Sequence, residues 1–296
     1  MRAMAEVDMR QKRVVITGAN SGIGLATARA LASMGAEVIL TARDANKGAA
    51  ALEKVQAVAQ GPKPRCMSLD LASFASIRRF VDEFSGEFAR LDVLINNAGL
   101  ILTERRLTEE GFEYTFGVNH LGHFLLTQGL LPRLEAAAPA RVVTVASEAH
   151  RAATEGIDFD DLQREGGVSA TNSLRVYGIS KLANICFSNE LARRVADRGV
   201  TSNALHPGTI SSGFGMDGDM KGIAGLVYKL ARPFMPGPDA GAKTSVYCAS
   251  APELDGVTGK YFERSREKKP TRFARNPETD RRLWELSERW VEQGHP

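Results

Sequence analysis

The chain has 296 residues, 43% of them hydrophobic, and its 38 basic and 35 acidic side chains leave a formal net charge of +3. This near balance predicts neither a nucleic-acid partner nor binding to a membrane surface. Three widely separated cysteines (Cys66, Cys186 and Cys248) and a polar amino terminus predict a cytoplasmic protein with reduced thiols, no metal site and no membrane anchor.

Short apolar runs alternate with longer helical patterns along the chain. Strands are predicted at residues 13–17, 37–42, 65–69, 91–95, 141–146, 201–206 and 259–262, and helices at 22–34, 45–58, 73–89, 107–136, 175–198, 239–250 and 277–293. Apolar strands separated by helices are typical of a parallel sheet covered on both faces. The sequence therefore predicts a single doubly wound α/β domain over residues 1–296, with a mostly parallel, seven-stranded sheet flanked by helices. Its core spans about 12–262, and 263–296 is a C-terminal extension.

Two long irregular segments interrupt this alternation, at residues 148–172 and 209–238. Each follows the carboxyl end of a predicted strand, where open α/β sheets bind ligands, and long loops inside compact domains are usually functional. Segment 209–238 is rich in apolar side chains, which favours a lid over a lipophilic or bulky substrate. The alternative is that these side chains only pack the lid onto the body.

A glycine-rich turn, TGANSGIG, follows the first predicted strand at residues 17–24. Gly18, Gly22 and Gly24 allow a tight turn and a close approach to a pyrophosphate, and the helix that follows directs its free amide groups at the phosphates. The position between the first strand and the first helix favours a dinucleotide-binding turn. A turn with a purely structural role is the alternative.

A basic residue follows the second predicted strand, in the sequence TARD. NAD-binding proteins often place an acid here for the ribose 2′-hydroxyl, whereas the guanidinium of Arg43 suits the 2′-phosphate of NADP. A second basic residue, Lys47, lies one turn later. The acidic residue next to Arg43, Asp44, is unfavourable for a phosphate. The sequence favours NADP(H) over NAD(H), with a surface arginine at a strand end as the alternative.

Two further strand ends carry candidate cofactor contacts. Asp70, before Leu71, could accept a hydrogen bond from an adenine amino group, or it could cap the helix that starts near residue 73. The run Asn97-Ala98-Gly99 follows the fourth strand. Its small residues and side-chain amide would let the backbone lie against a flat ligand, although alone it could be an ordinary strand-to-loop turn.

Ser147 ends the fifth predicted strand, and Tyr177 and Lys181 follow on a predicted helix. Positions i and i+4 share one helix face, so the phenol and the ammonium point the same way. A nearby cation stabilises phenolate and lowers a phenol pKa of about 10 toward the range useful for general acid–base catalysis. The alternative is a tyrosine and a lysine that merely share an amphipathic helix.

These motifs, in this order, resemble those of the short-chain dehydrogenases/reductases. The resemblance rests on TGANSGIG, NNAG, Asn119, Ser147, Tyr177, Lys181 and HPG (206–208), and it covers about residues 12–262. The segments VNHLGHFLLT (118–127), DFDDLQ (158–163) and YGISKLANICFSNEL (177–191) are similar to the retinol dehydrogenase-like branch. The resemblance implies a Rossmann-like fold and a nicotinamide cofactor.

The resemblance also implies a role for each matched residue. Tyr177 would donate a proton to a carbonyl oxygen or take one from an alcohol, and Ser147 would position that oxygen. Lys181 would bind the nicotinamide ribose and lower the tyrosine pKa, and Asn119 would hold a water that links Lys181 to solvent. The expected cofactor contacts are Gly18, Asn20, Ser21, Gly22, Ile23, Gly24, Arg43, Asp70, Leu71, Asn97, Ala98, Gly99, Tyr177, Lys181, Pro207, Gly208, Ile210 and Ser212, the last where the family often has threonine.

The resulting hypothesis is an NADP(H)-dependent oxidoreductase that interconverts a carbonyl and an alcohol on a lipophilic or bulky substrate, by hydride transfer with Tyr177 as general acid and base. The alternative is a non-catalytic NAD(P)-sensing binding protein on the same fold, which would typically lack the tyrosine or the lysine. Because some relatives cover a dimerising helix face with an insertion before the tyrosine, a dimer, a tetramer and a monomer all stay open. His120, His123 and His206 are expected to pack rather than to act chemically.

Overall fold

One sheet organises residues 7–208 and 237–296, which are the residues that the computed structural model describes. Its strands lie in the order β3-β2-β1-β4-β5-β6-β7-β8. Strands β1 to β7 pair in parallel, and each lies within two residues of its predicted bounds. The strands are β1 (Arg13–Ile16), β2 (Glu37–Ala42), β3 (Arg65–Ser68), β4 (Val93–Asn96), β5 (Ala140–Val145), β6 (Val200–His206), β7 (Tyr261–Glu263) and β8 (Arg266–Glu267).

The sheet has eight strands, so the expected number of seven was wrong. β8 pairs antiparallel with β7, with Glu263 opposite Arg266. Between them Arg264 and Ser265 have φ angles of 52° and 58°. Two consecutive left-handed residues form a tight hairpin turn whose twist matches that of the strands. Such turns usually carry Asn or Gly, so this turn has no hairpin signal in the sequence.

Helices cover both faces of the sheet. Successive strand residues point to opposite faces, so β1 divides its side chains between two buried clusters. Val15 belongs to a cluster with side chains of the helices at 74–87, 122–135, 173–194 and 277–293. Val14 and Ile16 belong to a second cluster, with side chains of the helices at 22–33, 45–56 and 238–250. The doubly wound α/β architecture is thereby confirmed. The helices are α1 (Gly22–Ser33), α2 (Ala45–Gln56), α3 (Phe74–Glu87), α4 (Tyr114–Phe116), α5 (Gly122–Glu135), α6 (Ser173–Arg194), α7 (Pro238–Ser250) and α8 (Pro277–Gln293).

The helix predicted over residues 107–136 begins later, at α4. Glu113 is buried, and its carboxylate accepts hydrogen bonds from the second and third amides of α4 at 2.9 and 2.7 Å, which fixes where this helix starts. A π-helical turn, Gly117–Leu121, joins α4 to α5. Such turns are frequent at functional sites, and Asn119 lies at the centre of this one.

The C-terminal helix α8 packs along α6. Trp284 is buried, and its ring stacks on Phe187 with centroids 5.8 Å apart. The same indole meets Phe124 edge-on at 4.8 Å, and the guanidinium of Arg194 lies 4.7 Å from its ring centre. These contacts support the helix on which the acid–base residues are predicted.

Two kinds of feature are missing from residues 7–208 and 237–296. No helix in these ranges is long and apolar enough to cross a bilayer. In the same ranges, no group of three or more His, Cys, Asp or Glu side chains could hold a metal ion.

Candidate active site

A cavity of about 490 Å³ opens at the carboxyl ends of the strands, where the strand order reverses between β1 and β4. Open α/β sheets bind dinucleotides at such a point. Four separate loops line it, and the sheet topology brings them together. The lining contains the predicted contacts Gly18, Asn20, Ser21, Gly22, Ile23, Gly24, Arg43, Asp70, Leu71, Asn97, Ala98 and Gly99.

The floor of the cavity requires glycine at two positions. Gly18 has a φ of +62°, and a Cβ there would lie 2.9 Å from the Cβ of Ala98. A Cβ on Gly24 would lie 2.5 Å from Asn97 Nδ2. Ser21, at the start of α1, makes no side-chain hydrogen bond to the helix. The first amides of α1 therefore face the cavity without a capping side chain, which suits a pyrophosphate.

Thr17, which was not among the predicted site residues, joins the ends of β1 and β4. Its Oγ1 accepts hydrogen bonds from the backbone amides of Asn97 at 2.8 Å and Ala98 at 2.9 Å. Asn97 Nδ2 donates back to Thr17 O at 2.8 Å. The Asn97 side chain is thus used to hold the two strand ends, and the backbone of this turn is what borders the cavity.

Arg43 and Lys47, at the end of β2 and the start of α2, also line the cavity. Asp44, which spoke against an NADP site, caps α2 by accepting a hydrogen bond from the amide of Lys47 at 2.9 Å. This hydrogen bond lowers the pKa of the Asp44 carboxyl. Arg43 Nη1 donates at 3.2 Å to the hydroxyl of Tyr114, which also lines the cavity.

Asp70 does not cap the helix that follows it. Its Oδ1 accepts a hydrogen bond from the amide of Ala72 at 2.9 Å, while Ser73 is the residue that caps α3. Asp70 lines the cavity, and its contact with an adenine stays a prediction.

Asn119 holds the loop after β4 through its side chain. Its Oδ1 accepts from the amide of Leu100 at 2.9 Å, and its Nδ2 donates to Leu100 O at 2.9 Å and to Ser180 Oγ at 3.0 Å. Because the amide group is used in this way, the backbone carbonyl is the part of Asn119 left for other partners. That carbonyl lies 3.1 Å from Nδ1 of His123.

His123 connects the backbone carbonyl of Asn119 to Thr17, the residue that joins the ends of β1 and β4. Thr17 Oγ1 lies 2.9 Å from Nε2 of His123 and 3.4 Å from Ile95 O, so the histidine is its nearer partner. Since Thr17 Oγ1 already accepts two amide protons, its own proton goes to Nε2, and Nδ1 of His123 then donates to Asn119 O. Burial lowers the pKa of His123 to about 4, so this histidine is neutral. The expected packing role of His123 therefore includes holding Asn119.

Ser147, Tyr177 and Lys181 lie close together, next to the cavity at Gly99, although none of the three lines it. The hydroxyl of Tyr177 is hydrogen-bonded to Ser147. Lys181 Nζ donates to Val145 O at 3.0 Å and lies 5.6 Å from the centre of the Tyr177 ring. A Cβ on Gly99 would come within 3.0 Å of Nζ, so the buried ammonium adjoins the cavity wall.

Burial dominates the acid–base properties of this pair. It raises the pKa of Tyr177, and the hydrogen bond with Ser147 lowers that pKa only in part. Burial also lowers the pKa of Lys181 to about 7, which weakens the charge that would stabilise phenolate. The net direction for Tyr177 is therefore opposite to the one expected from the spacing of the two residues.

His150 supports Ser147 from the segment that follows β5. Its Nδ1 lies 2.7 Å from Ser147 O, and its Nε2 accepts from the amide of Thr271 at 3.3 Å. Because Nε2 accepts, Nδ1 carries the proton and donates it to Ser147. Thr271 belongs to the C-terminal extension, so the extension contributes to positioning the serine.

The remaining predicted contacts lie after β6. Pro207 and Gly208 follow that strand directly, and neither borders the cavity. Gly208 has a φ of +96°, which favours glycine. Ile210, Ser212 and most of the predicted lid lie outside the described residues, so these contacts stay predictions.

Because His120 and His123 are buried, we expect the free energy of unfolding to fall in acid. Burial lowers the pKa of His120 to about 3 and that of His123 to about 4, from the ordinary value of 6.5. Below pH 6.5 the two histidines take up protons in the unfolded chain, whereas in the native protein they stay neutral until the pH approaches their lowered pKa values. The free energy of unfolding should therefore fall between about pH 6.5 and about pH 4, by up to ~1.4 kcal/mol per pH unit for each histidine.

Urea unfolding between about pH 7 and about pH 5 measures this slope. The slope should be shallower in His120→Gln and in His123→Gln, whatever their stability at neutral pH, and unchanged in the exposed control His295→Gln. A wild-type free energy of unfolding that does not change over this range would contradict the prediction.

Comparisons with known proteins agree with this geometry. Residues 12–157 match a family model described as short chain dehydrogenase. Mouse retinol dehydrogenase 12 is 43% identical over 281 residues, covering 95% of this chain and 86% of that protein. A crystal structure of an uncharacterized protein from Mycobacterium paratuberculosis has a TM-score of 0.75 at 35% identity, covering 97% of this chain and 95% of that one. The Pseudomonas aeruginosa RhlG/NADP active-site complex has a TM-score of 0.66 at 26% identity, covering 86% and 95%.

Proposed function

Because the chain belongs to the short-chain dehydrogenase/reductase family, in its retinol dehydrogenase-like branch, we propose that it is an NADP(H)-dependent oxidoreductase that interconverts a carbonyl and an alcohol. One observation carries the proposal: the Tyr177 hydroxyl is hydrogen-bonded to Ser147, with Lys181 on the same helix face and next to Gly99, which lines the cavity. A phenol and a serine hydroxyl so placed can both reach one substrate oxygen.

The cavity fits a dinucleotide. Gly18 and Gly24 line it and let the turn after β1 pack closely against the loop after β4. The uncapped start of α1 has amides that can bind a pyrophosphate. A bound nicotinamide would supply the hydride, and the protein supplies position and charge. Lys181 uses one of its ammonium protons on Val145 O, which leaves two more donors for the hydroxyls of a ribose.

The state of Tyr177 favours proton donation. A buried phenol with a raised pKa stays protonated at neutral pH, so in the proposed reduction it gives its proton to the carbonyl oxygen, while Ser147 hydrogen-bonds that oxygen. Ser147 Oγ accepts from the amide of Ala149 at 3.1 Å, which leaves its own proton available. In the reverse direction the phenol must first lose its proton, and a charged Lys181 helps it to do so.

The proposed substrate is a lipophilic carbonyl compound or alcohol. Mouse retinol dehydrogenase 12 is named for retinol, and the apolar residues of 209–238 support a large hydrophobic substrate. The direct test is consumption of NADPH by the purified chain with retinal and with other aliphatic, aromatic and polycyclic carbonyls. If NADPH binds tightly but no carbonyl is reduced, the non-catalytic sensing protein replaces this proposal.

Arg43→Ala tests the cofactor preference. Removing a guanidinium that contacts the 2′-phosphate should weaken NADPH binding by about ten- to hundredfold and leave NADH binding nearly unchanged. Isothermal titration with both cofactors measures this, and Lys54→Ala, an exposed change on α2 outside the cavity, is the control. Equal affinities of the wild type for NADPH and NADH would overturn the assignment.

A further inference from the structure

A second arginine lines the cavity together with Arg43: Arg106, on the loop between β4 and α4. We propose that Arg106, supported by the ring of Tyr114, contacts the 2′-phosphate of NADP(H) together with Arg43 and so determines cofactor specificity. This inference rests on the proposed function, because it assumes an NADP(H) site. Arg106, Tyr114 and Arg43 all line the cavity.

The backbone around Arg106 is held in place. The amide of Tyr114 donates to Arg106 O at 2.9 Å, and Leu107 and Glu113 form an antiparallel bridge one step further along. Thr108 N donates to Phe112 O at 2.9 Å and closes this small loop. The hydrogen bonds that the Glu113 carboxylate accepts from the amides of α4 then fasten the loop to the helix, so the backbone of Arg106 is ordered.

One aromatic ring joins the two arginines. The guanidinium carbon of Arg106 lies 5.4 Å from the centre of the Tyr114 ring, a cation–π distance. The hydroxyl of the same ring accepts a hydrogen bond from Arg43 Nη1 at 3.2 Å. Tyr114 therefore holds one guanidinium over its face and the other at its edge, on the same side of the cavity.

The charges at this place suit a dianion. Among the described residues neither Arg43 nor Arg106 forms an ion pair with a carboxylate, and the nearby Asp44 carboxylate is engaged as the cap of α2. A phosphate monoester carries roughly −1.5 to −2 charges at neutral pH and accepts forked hydrogen bonds from guanidinium groups. A ribose 2′-hydroxyl, as in NAD, has no charge for the second cation to neutralise.

The neighbouring arginine provides a matched control. Arg105 Nε donates to Gln163 O at 3.0 Å, and Arg105 does not line the cavity. Replacing Arg105 or Arg106 with alanine makes the same change in net charge and in side-chain size, one residue apart. A general effect of surface charge should weaken phosphate binding in both variants. The loss of a direct contact with the phosphate should weaken it only in Arg106→Ala.

Binding of 2′,5′-ADP and of 5′-AMP to the full chain tests the proposal without any catalytic readout. Arg106→Ala should weaken binding of 2′,5′-ADP by about tenfold or more and leave binding of 5′-AMP within about twofold. Arg105→Ala should leave both affinities unchanged. Tyr114→Leu, which removes the ring and its hydroxyl, should weaken binding of 2′,5′-ADP at least as much as Arg106→Ala.

The outcomes separate this inference from the proposed function. If the wild type prefers 2′,5′-ADP and Arg106→Ala keeps that preference, the role of Arg106 is overturned and the NADP assignment stands. If Arg106→Ala weakens both ligands equally, the residue contacts the adenosine rather than the phosphate, and the specificity role is again overturned. If the wild type binds both ligands equally, the NADP assignment falls and this inference falls with it.

Discussion

Tyr177→Phe should lower kcat for carbonyl reduction by about 10²- to 10⁴-fold, the usual contribution of a positioned general acid. The change removes one hydroxyl from a buried ring and leaves the α6 packing in place. Affinity for NADPH should therefore change by less than about threefold, because the Lys181 contacts do not depend on that hydroxyl. Steady-state kinetics and cofactor titration on the same preparation separate the two quantities.

Tyr261→Phe is the matched control for this change. Tyr261 is also buried, its ring packs against His150 at 5.4 Å, and its hydroxyl has no hydrogen-bond partner among the described residues. Removing that hydroxyl should leave kcat unchanged. A Tyr177→Phe variant that keeps more than about a tenth of the wild-type kcat would show that another group donates the proton.

Gly24→Ala should weaken both cofactor binding and the stability of the fold. The new Cβ would lie 2.5 Å from Asn97 Nδ2 and 2.6 Å from Gly18 O, so α1 or the turn after β4 must move. Such crowding usually costs ~1–3 kcal/mol of stability, and here it also displaces amides from the expected pyrophosphate. We expect a lower thermal midpoint and an affinity for NADPH reduced by at least about tenfold.

Gly86→Ala separates crowding from the general effect of replacing glycine in a helix. Gly86 lies in α3, and a Cβ there would meet no atom within 4 Å. This variant should gain ~0.5–1 kcal/mol, because alanine loses less backbone entropy than glycine. The two thermal midpoints should therefore move in opposite directions. Parallel shifts, or unchanged NADPH binding in Gly24→Ala, would contradict the close packing of the turn.

Much of the fold could be predicted because its signals are local. Apolar runs such as RVVIT and EVILTA mark buried parallel strands, and TGANSGIG marks the turn that follows the first of them. The same periodicity says nothing about β8, which depends on the left-handed turn at Arg264 and Ser265. It also places the start of α4 too early, because the cap is a buried glutamate, Glu113, whose partners are backbone amides.

The supports of the candidate site could not be predicted in the same way. His123 and Thr17 are 106 residues apart and meet at 2.9 Å, and His150 reaches Thr271 across 121 residues. Only the folded sheet brings such partners together. Likewise, the spacing of Tyr177 and Lys181 predicts their shared face but not their burial, and burial is what reverses the expected direction of the tyrosine pKa.

The packing of α8 on α6 has a consequence for the order in which the chain is made. Chains are synthesised from the amino terminus, so every proposed acid–base residue leaves the ribosome well before residues 277–293 do. Until then Phe124 and Phe187 lack the cover of Trp284. A chain stopped after residue 276 would carry the whole proposed reaction centre beside an uncovered aromatic face, and it should be recognised by chaperones rather than released as an enzyme.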